Sequence, residues 1–392
     1  MRRFSAQYII TATGSILKRG IITTDDHDCI REVIDTGGNP PELSKTEFYN
    51  GIITPGFVNC HCHLELSGSQ RPVGQHTGLG EFIRGVRESR KTVSPGAEKH
   101  MAEADKMMYN SGVSACGDVC NDSISFAVKE DSPIKYINFL EVFGIDPAKA
   151  DKRISEVMKL KEEAGRYTAA SFVVPHSFYS MSASLLKKIK ILAKDNELST
   201  IHFMESGQEA ELMKNAGGAL MDSYRAMGIS PEMLHDRVPD HISGLREYIT
   251  TEGRLILVHN TYAGNEEIQA AMERANCYFC LCPGSNLYIE NTLPPVDRLR
   301  EMKPSIVLGT DSLASNKSLD ILEEMKIIGK HFPGAGLPEL VQWATINGAR
   351  ALKIDNEYGS IETGKKPGLV LIKNADLSNM SLTAESKSIR LL

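Results

Sequence analysis

The chain has 392 residues, 41% of them hydrophobic and 24% charged, proportions that exclude a chain dominated by disorder and leave enough apolar side chains for a large core. Its formal net charge of -6 and pI near 6.0, with no basic block along its length, remove the electrostatic case for nucleic acid or an anionic membrane and point to a small-molecule partner. No apolar run reaches the length of a membrane span, and Met1-Arg2-Arg3 is followed by residues without the apolar core of a signal peptide, so the cytoplasm is the expected compartment.

Taken in chain order, Tyr8 to Thr13 and Glu32 to Asp35 read as strands separated by turn residues, and Gly51 to Pro55 leads out of this first region. Eight short apolar runs rich in β-branched residues follow. They are Thr54 to His63, Val113 to Val119, Ile134 to Phe143, Ala170 to His176, Leu198 to Phe203, Leu255 to Asn260, Cys277 to Cys282 and Ser305 to Asp311. Between them, Ala97 to Asn110, Asp151 to Glu163, Ser182 to Asn196, Glu266 to Arg274 and Ser318 to Lys330 carry helical periodicity with charged faces. Strand then helix, eight times over, predicts a (β/α)8 barrel over residues 54–354. Gly359 to Lys365 is a polar turn, and Leu369 to Ile372 reads as a further strand. Residues 1–53 and 355–392 are therefore expected to build one small β-sandwich domain from both termini.

His61-Cys62-His63 closes the first barrel strand, and alternate strand residues share a face, so both imidazoles point inward together. Chance alone yields about 0.3 such pairs at this histidine content, so position carries the argument. Active sites of this fold lie at the C-terminal ends of the strands, and His61, His63, His176, His202, His259 and Asp311 all fall there. His61, His63, His202 and Asp311 form a nitrogen and oxygen set suited to one divalent metal ion with a position left for water, whose pKa then falls toward about 7. An unpaired carboxylate ending a buried strand is costly, which favours Asp311 as a ligand over a packing role. Glu205, three residues after His202, can lie beside that water as proton shuttle, although it could also merely begin a helix. His259 is placed to donate a hydrogen bond to the water or to the developing tetrahedral centre. His27, His76, His100, His235, His241 and His331 lie in loop or helix segments and read as solvated, with His76 alone a candidate for the site mouth. The eight cysteines read as small core residues of a reducing compartment, because Cys277, Cys280 and Cys282 find no second pair to complete a zinc ribbon.

Thr54 to His63, Pro175 to Ser180, His202-Phe203-Met204-Glu205-Ser206, Val258-His259, Cys282 to Asn286, Gly309 to Asn316 and Ala344 to Arg350, in this order, resemble the amidohydrolase superfamily. The resemblance is to its branch of aminohydrolases and chlorohydrolases and covers nearly the whole chain. It implies hydrolytic deamination of an amino-substituted heterocycle, a purine or pyrimidine base or an adenine nucleoside, by metal-bound hydroxide. It assigns His61, His63, His202 and Asp311 as ligands, Glu205 as general acid and base, His259 as a water or substrate contact and His176 as a substrate contact. Ser312 and Asn286 belong to motifs expected near the substrate. Zinc is the usual ion and iron a family variant, and a single ion is implied because Ala170 to His176 lacks a bridging lysine or glutamate. His63-Leu64-Glu65-Leu66-Ser67 resembles deaminases of adenine-bearing nucleosides, including those acting on aminofutalosine, with Glu65 facing the ligand. Relatives often carry arginine where this chain has Gly284. A homodimer is compatible with the resemblance.

Three other readings compete. Opening of a cyclic amide or loss of halide from a ring would use the same metal-activated attack. A barrel retained only for binding would have less reason to keep every ligand and Glu205. His63-Leu64-Glu65 with Cys277 and Cys280 superficially matches the His-x-Glu and Pro-Cys-x-x-Cys zinc deaminases, but Asn276 stands where that motif needs proline.

Overall fold

A computed structural model describes residues 1–69, 73–91, 96–250 and 252–392. Five strands come first: β1 (Arg2–Ile10), β2 (Ile16–Lys18), β3 (Ile21–Thr24), β4 (Ile30–Ile34) and β5 (Thr46–Pro55). The repeat supplies β6 (Phe57–Cys62), β7 (Val113–Cys120), β8 (Lys135–Val142), β9 (Ala170–Pro175), β10 (Leu198–Phe203), β11 (Arg254–His259), β12 (Cys277–Leu281) and β13 (Ser305–Leu308). β14 (Leu369–Lys373) and β15 (Lys387–Arg390) come last. The helices between them are α1 (Leu79–Lys91), α2 (Ala97–Asn110), α3 (Phe126–Glu130), α4 (Ala150–Ala164), α5 (Ala183–Leu192), α6 (Gln208–Asn215) and α7 (Gly218–Ala226). They continue with α8 (His241–Tyr248), α9 (Asn265–Met272), α10 (Pro283–Glu290), α11 (Val296–Met302), α12 (Ile321–His331), α13 (Leu337–Ala344) and α14 (Ile346–Ala351).

The eight expected runs thus appear as strands, with one division. Thr54 belongs to β5, which runs parallel to β1 and antiparallel to β14, whereas β6 starts afresh beside β7. Pro55, lacking an N–H, ends the first ladder and Gly56 lets the chain cross to the second. The terminal strands share one seven-stranded sheet, ordered β15-β14-β5-β1-β3-β4 with β2 on β1.

The repeat forms two four-stranded parallel sheets, β6-β7-β8-β9 and β10-β11-β12-β13. Every residue of β7 and β10 is buried, as expected of parallel strands covered on both faces. The sheets meet at both edges. His202 N donates to His176 O at 2.8 Å on one side, and Thr310 N and Asp311 N donate to His61 O at 3.0 Å on the other. Val58, Phe139, Val174, Leu198, Val258 and Val307 belong to one shared interior cluster, to which α14 adds Ala349 and Ala351. The helices cover the outside with apolar stripes, as where Met101, Ala104 and Met108 of α2 are buried at helical spacing.

Candidate metal centre and active site

The register between β6 and β7 slips between Asn59 and Cys62, so the first strand carries an extra residue there. Such a bulge re-aims side chains: Cys60 joins the interior cluster, while Cys62 packs in the outer one. His61 and His63 then converge with His202 from the opposite sheet, their ligand atoms lying within 4.8 Å of one another. Asp311 Oδ1 stands 3.7 Å from His61 Nε2 and 3.5 Å from His63 Nε2. Gly309 permits this approach, since a Cβ there would sit 2.8 Å from the Cβ of His61. Three chain reversals at strand ends use left-handed backbone at non-glycine residues: Met204 (φ 51°), His259 (φ 76°) with Asn260 (φ 56°), and Asp311 (φ 56°). Conformations of this cost persist where surrounding structure enforces them, often at functional sites.

Asp311, His202, His259 and His176 each have a further partner. Asp311 Oδ2 accepts from Ser285 Oγ at 2.7 Å and Ser315 Oγ at 2.5 Å. His202 donates from Nδ1 to His176 O at 3.1 Å, with Glu141 Oε1 3.5 Å away, which leaves Nε2 as the lone-pair donor. His259 Nδ1 accepts from Asn286 Nδ2 at 3.1 Å, so its Nε2 carries the proton and points toward Glu205 Oε1, 3.6 Å away. His176 Nδ1 is held by Ser177 Oγ and Ser180 Oγ at 2.9 and 2.7 Å.

Burial, followed by neighbouring imidazoles and charges, drives the pKa values of His63, His202 and His259 well below that of ordinary histidine. For His176 the same forces bring it to about 3. Neutral imidazoles are the form that ligates a metal. Burial would raise Asp311, but His61, His63 and His259 overcome it and hold the carboxyl well below its usual range. Glu205 goes the other way. Burial, then Asp311, Glu209, Glu290 and Glu141, push it well above an ordinary glutamate.

The donor set fits a divalent ion on the structure's own terms. Both ring nitrogens of His61 and Nδ1 of His63 are buried without a hydrogen-bond partner, as is Nε2 of His259. The large majority of buried polar atoms in proteins are paired, so this concentration of unpaired nitrogens at one point calls for a ligand, and three imidazoles plus one carboxylate match the ligand chemistry of zinc or iron.

A cavity of about 590 Å³ opens from this centre, lined among the described residues by His63, His176, His202, Glu205, Asp311 and Ser312 at its base. Glu65 and Asn286 do not line it. Asn286 stands behind His259, and both oxygens of Glu65 are engaged, by Arg90 Nη2 at 2.5 Å and by Asn121 N at 2.8 Å. Burial outweighs Arg90 and lifts the Glu65 pKa to about 7. Glu141 and Asn121 do line the cavity, and sequence reasoning passed over both; the signal available was an acidic residue at the end of β8. His76 is exposed and away from the cavity, and His241, read as solvated, is 6% exposed and bonded to Glu209. Gly284 faces Glu324 and Asn316, with Glu324 Oε1 2.6 Å from where its Cβ would be, so that position looks into a buried polar cluster. A separate groove of about 790 Å³ between α8, α9 and α11 contains none of these residues.

A model of the amidohydrolase family matches residues 52–390. Adenosine deaminase of Helicobacter pylori is 26% identical over 340 residues, 84% of this chain and 80% of that protein. 5'-Deoxyadenosine deaminase of Methanococcus vannielii is 30% identical over 394 residues, covering 91% and 85%. The crystal structure of Helicobacter pylori aminofutalosine deaminase in complex with methylthio-coformycin has a TM-score of 0.78 at 21% identity and covers 100% of both chains, a likeness of fold.

Proposed function

The chain belongs to the amidohydrolase family, and from that premise we infer that it is a metal-dependent aminohydrolase that releases ammonia from an adenine nucleoside. The observation that carries this is the convergence of His61, His63, His202 and Asp311, with buried unpaired imidazole nitrogens, beside Glu205. The relatives named for adenosine and 5'-deoxyadenosine supply the substrate class.

A divalent ion in this donor set supplies Lewis acidity, bringing the pKa of a water toward about 7. Glu205 would take a proton from the water as the water oxygen bonds to the amino-bearing ring carbon and pass that proton to the amino nitrogen, so that the carbon–nitrogen bond breaks and ammonia departs. Burial and the neighbouring carboxylates raise the proton affinity of Glu205 well above that of an ordinary glutamate. His259 offers Nε2–H to charge developing at the reacting carbon, and Asn286 fixes that tautomer. His176, anchored through Nδ1, leaves Nε2 for the purine. Beyond the base, Glu141 and Asn121 offer polar groups to a ribose, and Leu79, Phe82, Ile83, Val86, Phe143 and Ile229 line an apolar extension suited to an apolar 5' substituent.

The same reading takes the two parallel sheets as one closed eight-stranded barrel (54–354), supported by the hydrogen bonds at both seams. It takes the terminal sheet, folded over Phe4, Ile22, Ile53 and Leu371, as a small sandwich (1–53 and 355–392). Zinc is the proposed ion, with iron the alternative. Eight free cysteines, seven of them buried, accord with the cytoplasm, and no helix among the described residues is long and apolar enough to cross a membrane.

Metal analysis joined to an ammonia-release assay on adenine nucleosides tests the reading, since ammonia separates deamination from ring opening and halide loss. Glu205→Gln is expected to keep one ion per chain and lose turnover, and His202→Ala to lose both. Turnover at the parent rate by Glu205→Gln would remove Glu205 from the chemistry.

A further inference from the structure

Glu205 sits on a short reversal between β10 and α6, entered through the left-handed Met204. A side chain that moves a proton must be held to a fraction of an ångström, and a turn alone holds it poorly. What fixes this turn lies outside the cavity. Glu209, one residue into α6, accepts the backbone N–H of Ser206 on Oε1 at 2.9 Å, and Ser206 Oγ accepts from Gln208 N at 3.1 Å. The other oxygen, Oε2, is 2.8 Å from His241 Nε2. Glu209 is 1% exposed and His241 6%. Phe203 and Phe178 set their rings edge-on to His241, with centroids 5.3 and 6.3 Å away. His241 is the first residue of α8, whose N-terminus Asp240 caps by accepting from Ser243 N at 2.8 Å.

We propose that Glu209 and His241 form a positioning clamp that holds the Glu205 turn against the metal pocket. The clamp rests on the reading of Glu205 as the proton shuttle. Neither member touches the cavity, so each acts through the Ser206 amide. A simple bridge between α6 and α8 would need only one carboxylate oxygen; here the second is spent on the amide next to Glu205. Losing His241 leaves Oε2 of Glu209 buried without a partner, so that the carboxylate turns away from Ser206 and the shuttle loses its register.

The test uses the metal-loaded full chain, with 5'-deoxyadenosine and adenosine as probe substrates. His241→Leu and Glu209→Ala are each expected to lower kcat at least about tenfold, because misplacement by about 1 Å costs up to a hundredfold. KM stays within about twofold and metal content at one ion per chain, since neither binding nor ligation is touched. The double variant is expected to be no slower than Glu209→Ala, because the two act as one unit. His241→Gln, which keeps a donor for Glu209, restores most of kcat. Independently of turnover, the Ser206 amide exchanges with solvent at least about tenfold faster in His241→Leu. An unchanged Ser206 exchange rate, an additive double variant, or parallel loss of metal and kcat overturns the clamp. Failure of the proton-shuttle reading looks different: there Glu205→Gln itself stays active.

Discussion

At the scale of single residues, Asp118 and Lys129 form a buried pair outside the cavity. Asp118 is 0% and Lys129 4% exposed, and they form a salt bridge that Asn138 Oδ1 completes at 2.9 Å from Lys129 Nζ. Asp118 Oδ1 also accepts Leu64 N at 2.8 Å, tying down the backbone directly after His63. Removing one partner of a buried pair leaves an uncompensated charge. Lys129→Met is therefore expected to lower the unfolding free energy by about 3–5 kcal/mol, read by urea denaturation. The double change with Asp118→Asn should recover much of the loss; if the single variant is as stable as the parent, the pair contributes nothing to the fold. Which residues sequence could reveal follows the same logic of direction. His61, His63, His202 and Asp311 were legible because a strand end and its alternation fix where they point. Glu65 was not, because it lies in a short 3-10 turn whose geometry sends it to Arg90, and His241 was not, because its partner lies 32 positions away.

At the scale of elements, α12 and α10 are joined through Glu324. Its carboxylate accepts Gly284 N at 2.8 Å and Asn316 Nδ2 at 2.7 Å, yet burial dominates and raises its pKa to about 8. Its folded value lies above the unfolded one of about 4.3, so the native state holds the proton more tightly. That contribution to stability is fully present below the unfolded value and is lost as pH rises through about 8. The parent's stability should fall relative to Glu324→Gln across this window, as chemical denaturation at a series of pH values would reveal; parallel profiles would place the Glu324 pKa in its ordinary range. All eight strands of the two parallel sheets were foreseeable as apolar runs of five or more residues, whereas α6, α8, α9 and α10 each have eight. Two turns carry too little periodicity to stand out; of the four, only α9 was anticipated, and α6 and α8 hold the clamp.

For the whole molecule, the last strand matters more than its length implies. Arg390 donates to Tyr109 O at 2.7 Å and Val113 O at 2.6 Å and stacks 3.9 Å over the Tyr109 ring, joining β15 to the end of α2 and the start of β7. Arg390→Leu strands those carbonyls and is expected to cost about 2–3 kcal/mol, seen as a lower Tm with kcat unchanged; a matching fall in kcat would mean the terminal sheet reaches the active site. That sheet was only half visible in sequence. Tyr8 to Thr13 and Leu369 to Ile372 read as strands, but the partnership of β5 with β14 depends on a contact that no local pattern records.

That partnership also bears on biosynthesis. β14 leaves the ribosome roughly 300 residues after β5, so their ladder closes among the slowest, most non-local contacts the chain makes. Until then the nascent chain carries the Ile52 and Ile53 edge open to any other extended segment. Loss of the final strands would therefore leave this edge unpaired and prone to aggregate.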